Sequence, residues 1–152
     1  MVTEPSGVFP RIPAPPAPDI RGEIPQGLRK SPGLRVLVVD DEPLVLWSIT
    51  EMLRSHGMEV QEAASAKGAL RILADESGPP DVVLLDLNLP DSADLGPLTM
   101  MRKMAPATRV ILMTAFGTPE VCAEARRLGA VTVMEKPFDL DTLDDLLTGA
   151  VQ

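Results

Sequence analysis

The sequence predicts an α/β domain built on an open, doubly wound parallel sheet, and three observations predict it. From Leu34 onward, short apolar runs alternate with amphipathic segments, five of each within about 115 residues. The runs are nearly continuously apolar ("LRVLVV" at 34–39, "VVLL" at 82–85, "VILM" at 110–113), as strands covered on both faces must be. Right-handed crossovers between parallel strands then leave the doubly wound sheet as the natural topology.

In chain order, Leu34–Val39 reads as the first strand and ends in Asp40, Asp41 and Glu42. Pro43 suits the first turn of a helix, which continues through Leu44–His56 and stops at Gly57. A weaker strand surrounds Val60, and Ser65–Ala74 forms the second helix. Asp81–Leu85 is the third strand, followed by a loop and a helix near Leu95–Met104. Arg109–Met113 is the fourth strand, and Thr118–Leu128 a helix closed by Gly129. Val131–Met134 is the fifth strand and Leu140–Leu147 the last short helix. Residues 34–149 therefore form one domain, with no internal repeat and no room for a second.

The first 33 residues differ in texture. They hold eight of the 16 prolines, with only isolated apolar residues between them. Proline blocks helix and ladder hydrogen bonds, so an extended or disordered arm is expected. The P-x-x-P spelled by Pro13–Pro16 is the sharper alternative, a ligand for a partner's groove.

Composition excludes several classes of function. With 14 basic and 22 acidic residues the formal charge is −8, the wrong sign for binding nucleic acid. A single cysteine, Cys122, excludes an internal disulfide and a cysteine metal site, and its Ala-rich surroundings predict a small buried side chain. No apolar run is long enough for a membrane span, and the start lacks the pattern of a secretory signal. A soluble, cytoplasmic chain with no membrane partner is the expectation.

Ligands of such sheets bind outside the carboxyl ends of the strands. Those ends carry Asp40, Asp41 and Glu42 on the first strand, Asp86 on the third, Thr114 on the fourth and Lys136 on the fifth. Clustered carboxylates repel unless a cation sits among them, so stability alone does not explain the arrangement. Phosphoryl transfer assisted by magnesium does. A hard cation takes oxygen ligands and retains waters, with Asp41 and Asp86 ligating directly, Asp40 through water and the carbonyl of Asn88 completing the set. A metal-bound carboxylate in line with a phosphoryl donor can attack phosphorus and form an acyl phosphate, while Lys136 pairs with one phosphoryl oxygen and Thr114 donates its hydroxyl to another.

The segments "VLVVDDEPLV" at 36–45, "DVVLLDLNLPD" at 81–91, "VILMTAFGT" at 110–118 and "VMEKPFDL" at 133–140 together resemble the receiver domains of two-component response regulators. The likeness runs from Leu34 to near Leu147, and its weight lies in all four motifs standing in order at strand ends. It implies a flavodoxin-like fold with strand order 2-1-3-4-5. It implies Asp86 as the phosphoacceptor, Asp40 and Asp41 as the acidic pair, and Thr114 and Lys136 as the residues that respond. It further implies a histidine kinase or histidine phosphotransfer protein as donor, and output through the surface of the fourth helix, fifth strand and fifth helix.

The chain departs from that family at a few positions. Val133 stands where the family usually carries Tyr or Phe, three residues before the lysine, so the usual aromatic reporter is missing. Asp94 stands where Gly is common, which predicts a different loop shape before the third helix, softened by Pro97 in its first turn. On the first helix, Val45, Ile49 and Met52 or Leu53 form the core stripe, which turns Trp47 at least partly outward, either against a neighbouring helix or toward a partner. Phe116, two residues past Thr114, would shield an acyl phosphate from water, and His56 would cap the last carbonyls of the first helix.

The function expected is that of a signalling module rather than an enzyme acting on an outside substrate. The chain ends a few residues past the last helix, which predicts a single-domain regulator with an unidentified downstream protein partner. A magnesium-dependent phosphohydrolase would resemble "DxDxT" where this chain has "VDDEP", with no following Thr. A receiver-like module that binds partners without phosphate is the remaining alternative. It leaves the full set of Asp40, Asp41, Asp86, Thr114 and Lys136 without a purpose.

Overall fold

The computed structural model describes residues 33–75, 77–92 and 94–150, the last three of these by backbone alone. The expected Pro-rich arm, apart from Gly33, lies outside the described residues. Five strands and five helices alternate: β1 (Arg35–Val39), α1 (Pro43–Ser55), β2 (Glu59–Ala63), α2 (Ala66–Leu73), β3 (Val82–Asp86), α3 (Gly96–Met104), β4 (Arg109–Thr114), α4 (Pro119–Arg127), β5 (Thr132–Glu135) and α5 (Leu140–Ala150). All strand pairs are parallel, in the order β2-β1-β3-β4-β5, as expected. The last helix runs to Ala150, three residues past the Leu147 expected from its apolar pattern.

Strand alternation splits the core into two layers. Leu37, Val39, Val83, Leu85, Val110 and Leu112 face one way, with Ala66, Ala69 and Leu73 of α2, Leu98 and Met101 of α3 and Ala125 of α4. Val36, Val38, Val82, Leu84, Ile111 and Met113 face the other, with Ile49 and Leu53 of α1 and Leu143 and Leu147 of α5. The three central strands thus need apolar side chains at every position, which is why their sequences do not alternate. Edge strand β2, "EVQEA", is mostly exposed and accordingly polar.

Local chemistry fixes the helix ends. Pro43, Pro97 and Pro119 each sit in the first turn of a helix, where a missing N–H costs nothing. The side chains of Ser65 and Thr118 accept from the N–H of Gly68 and Val121, capping α2 and α4. Gly57 and Gly129 follow α1 and α4 at φ of 85° and 109°, a left-handed conformation that costs other residues energy. Asp94 accepts from the N–H of Gly96 at 2.9 Å and from Ser92 Oγ at 3.1 Å, so the departure at this position forms the turn that starts α3. Among the described residues, no helix is long and apolar enough to cross a membrane.

Three smaller expectations are corrected. Cys122 is half-buried, because Ala125 rather than Cys122 lies on the innermost line of α4. His56 does not cap α1 with its ring: Nδ1 lies 2.9 Å from Oδ1 of Asp144 and ties the end of α1 to α5. Phe116 is 80% exposed, its ring turned to solvent, so it shields nothing in this conformation.

Candidate functional site

Parallel strands aligned in register bring their carboxyl ends to one edge, and with them every residue the sequence singled out there. Asp40 follows β1, Asp86 ends β3, Thr114 ends β4, and Lys136 follows β5. The backbone continues the ladder into the site: the N–H of Asp40 donates to Ala63 O at 3.0 Å, that of Leu87 to Met113 O at 2.8 Å, and that of Lys136 to Thr114 O at 2.8 Å. The side chains are therefore carried on the hydrogen-bonded ends of the sheet.

Carboxylate oxygens of Asp40, Asp41 and Asp86 lie within 4.8 Å of one another. Asp40 and Asp86 are buried, at 0% and 4% exposure, whereas Asp41 opens to solvent. Lys136 Nζ reaches all the way across: it lies 2.6 Å from Asp40 Oδ2, 3.2 Å from Glu42 Oε1 and 3.5 Å from Asp86 Oδ2. Asp40 Oδ1 also accepts from the N–H of Glu42 at 2.9 Å. One ammonium thus serves three carboxylates, and its best contact goes to Asp40.

The electrostatics follow from that sharing. Burial, and then the negative charge of Asp40, push the Asp86 carboxyl up from 3.8 to about 6, against the opposing pull of Lys136. For Lys136, burial disfavours the charge, but the hydrogen bond and charge of Asp40, with Asp86 and Glu42, outweigh it and hold the ammonium above its ordinary range. Too many anions for too few cations is the state of this crevice.

That imbalance tests whether a metal fits. The donors are all carboxylate oxygens, two of them buried and one open to solvent, which suits a hard divalent cation that keeps part of its water. No nitrogen or sulfur donor joins them among the described residues.

The remaining expected residues take their places with different clarity. Thr114 is fully buried, and its Oγ1 accepts from the N–H of Phe116 at 3.1 Å, which pins the loop after β4 to the site. The N–H of Asn88 donates to Asp86 Oδ1 at 3.3 Å, so it is the backbone nitrogen that touches the cluster here. Val133 is half-buried against the core layer of α2, α3 and α4. Trp47 is 62% exposed and Leu44 79%, on the outer face of α1, so Trp47 does point outward. A cavity of about 570 Å³ opens beside the site, between the start of α1 and the β5–α5 loop, lined by Val45, Ala115, Pro137 and Phe138 with Glu42 and Lys136 at its polar end.

Sequence reasoning noted Glu42 among the acids but assigned it no partner. The third acid of "DDE" was the available signal, and only the fold shows that it reaches Lys136. It also missed Asp91, whose carboxylate accepts from the N–H of Ala66 and Lys67 and so caps α2 from a different loop.

The family model of the response regulator receiver domain matches residues 36–148. The chain belongs to that family. Its members act in two-component signal transduction, by phosphorylation. Regulatory protein AtoC of Escherichia coli is 39% identical over 118 residues, which are 78% of this chain and 25% of that protein. Sporulation initiation phosphotransferase F of Bacillus subtilis is 35% identical over 111 residues, 73% of this chain and 88% of that protein. This receiver thus spans a quarter of one relative's length and most of the other's. Among solved structures, a CheY-like receiver domain protein from Methanospirillum hungatei superposes with a TM-score of 0.73 at 27% identity, covering 78% of this chain and 94% of that one. A receiver domain protein from Clostridium thermocellum gives 0.71 at 30% identity, covering 77% and 93%.

Proposed function

We propose that this receiver is a magnesium-dependent phosphorylation switch whose acceptor is Asp86, charged by a histidine kinase or a histidine phosphotransfer protein. The observation that carries the reading is the setting of the Asp86 carboxylate: within 4.8 Å of two further carboxylates and 3.5 Å from the Lys136 ammonium, at the open edge of the sheet. An Asp86 oxygen bonds to phosphorus as the P–N bond of the donor's phosphohistidine breaks, and the imidazole leaves with the electron pair and takes up a proton. Asp41 and Asp86, with the Asn88 carbonyl and with Asp40 through water, would hold a divalent cation, which would supply charge neutralisation for the phosphoryl group. Lys136 then exchanges part of its carboxylate contact for a phosphoryl oxygen, and Thr114 offers its hydroxyl to another.

The switching unit is residues 34–149. Its output runs through contact with a downstream protein or through onward transfer. Likeness to a phosphotransferase of which the chain covers 88% supports onward transfer. The net charge of −8 speaks against nucleic acid as a direct partner.

The test is incubation with magnesium and either acetyl phosphate or phosphoramidate, followed by intact mass, with an Asp86→Asn control. One added phosphoryl mass that requires magnesium and disappears in the control is the expected result. No adduct from either donor, together with no magnesium binding, would overturn the reading and favour a phosphate-independent binding module.

A further inference from the structure

We infer that Glu42 is a specificity-determining residue of this site: its carboxylate disfavours dianionic phosphodonors and favours donors whose leaving nitrogen carries positive charge. The inference rests on Asp86 being the phosphoacceptor and goes on to say which donors it accepts.

Asp86 is buried at 4% exposure on the floor of the crevice, so a donor enters from the open side. Phosphoryl transfer runs nearly in line, which places the leaving group away from Asp86 and toward that opening. Glu42 stands there. Its side chain is 60% exposed, yet Oε1 lies 3.2 Å from Lys136 Nζ, which itself is 3.5 Å from Asp86. It also forms the polar end of the cavity beside the site, whose other walls are mostly apolar. Of the exposed carboxylates at the entrance, Asp41 belongs to the proposed cation site, which leaves Glu42, shared with Lys136 at 3.2 Å, as the charge facing an incoming donor.

Apart from its contact with Lys136, Glu42 has no structural task that explains its charge. It is the N-cap residue of α1, but its side chain makes no capping hydrogen bond, and its backbone carries the contact to Asp40. A neutral isostere keeps both. What the negative charge does is repel a second negative charge at the mouth and attract a positive one. Acetyl phosphate arrives as a dianion with a neutral leaving group. Phosphoramidate and a protonated phosphohistidine bring a cationic nitrogen on the leaving side. A single exposed charge several ångströms from the donor, partly screened by water, changes the rate by roughly three- to tenfold.

The experiment compares wild type with Glu42→Gln in initial phosphorylation rate, by intact mass, at saturating magnesium and low salt. Each is given acetyl phosphate and phosphoramidate in separate reactions. The expected result is a gain of about three- to tenfold for acetyl phosphate in the variant, with no gain or a loss for phosphoramidate, and a difference that shrinks as salt is added. Glu42→Asp, which keeps the charge, should retain the wild-type order of donors. An equal change for both donors in Glu42→Gln would overturn the inference, since that would mark only a general effect on Lys136 or on folding. If neither protein accepts phosphate from either donor, the reading of Asp86 fails, and the inference falls with it.

Discussion

Replacing Asp86 by Asn should make the metal-free protein more stable at neutral pH, because the wild-type carboxylate is held in a place that resists its charge. Burial and the neighbouring Asp40 raise its titration from 3.8 to about 6. At about 1.4 kcal/mol per pH unit, an ionised Asp86 costs the fold about 3 kcal/mol relative to the unfolded chain. The sign follows from proton counts. Between about pH 4 and pH 6 the folded protein binds more protons at Asp86 than the unfolded chain does. Stability contributed by this group is therefore fully present below its unfolded value and is lost as pH rises through about 6. Asparagine keeps the size and an oxygen for the Asn88 N–H, and Lys136 retains Asp40 at 2.6 Å and Glu42 at 3.2 Å. Urea unfolding in EDTA should then show Asp86→Asn more stable than wild type by about 2–3 kcal/mol at pH 7.5, with the gap closing near pH 4. Adding magnesium should stabilise wild type more than the variant and narrow the gap from the other side. A variant no more stable than wild type at pH 7.5, or a gap that ignores pH, would refute the reasoning.

Other perturbations separate the site from its scaffold. Lys136→Met leaves the fully buried Asp40 without its cation and should cost about 3–5 kcal/mol in metal-free unfolding, part of which magnesium restores. Leu84→Ala opens a cavity in the layer shared with α1 and α5 and should cost about 3 kcal/mol in urea, with no change in magnesium affinity. Ser65→Ala removes the cap on α2 and should cost about 1 kcal/mol by the same assay, again without touching the site. Thr108→Val removes a buried hydroxyl whose Oγ1 donates to Pro80 O at 2.7 Å, and should cost about 1–2 kcal/mol.

The strands and helices were legible because local signals agreed with the global fold. Continuous apolar runs marked β1, β3 and β4, proline and glycine marked several helix starts and stops, and the elements appeared in the expected order, the last helix three residues longer. The gathering of Asp40, Asp41, Asp86, Thr114 and Lys136 was legible for the same reason, since a parallel sheet sends all strand ends to one edge. What the sequence hid were side-chain contacts between distant segments. The reach of Lys136 to Glu42, the pairing of His56 with Asp144 and the capping of α2 by Asp91 depend on loop paths and helix rotation, which carry no periodic signature. The half-burial of Cys122 was misjudged for a related reason: a run of small residues marks a close-packed helix without saying which of them faces inward.

The carboxylate crowding that costs stability is also what lets the site respond to a ligand. A site at electrostatic rest would gain little from a cation or a phosphoryl group. Here Lys136 divides itself among three carboxylates at 2.6, 3.2 and 3.5 Å, and no arrangement of one ammonium satisfies them all. A cation bound there would relieve the excess, and on the proposed function a phosphoryl group on Asp86 would compete for the same ammonium. Moving Lys136 toward Asp86 loosens its hold on Asp40 and Glu42, which lie at the start of α1. Drawing the Thr114 hydroxyl toward a phosphoryl group, as the proposed mechanism requires, would break the bond it accepts from the Phe116 N–H, which holds the loop that leads into α4. Val133 offers no aromatic ring to swing with that movement, and it is half-buried in the core layer that includes Ala125 of α4. If Asp86 is phosphorylated as proposed, a route through the backbone of residues 115–118 would then be open to the signal, whereas an aromatic side chain turning on β5 would not.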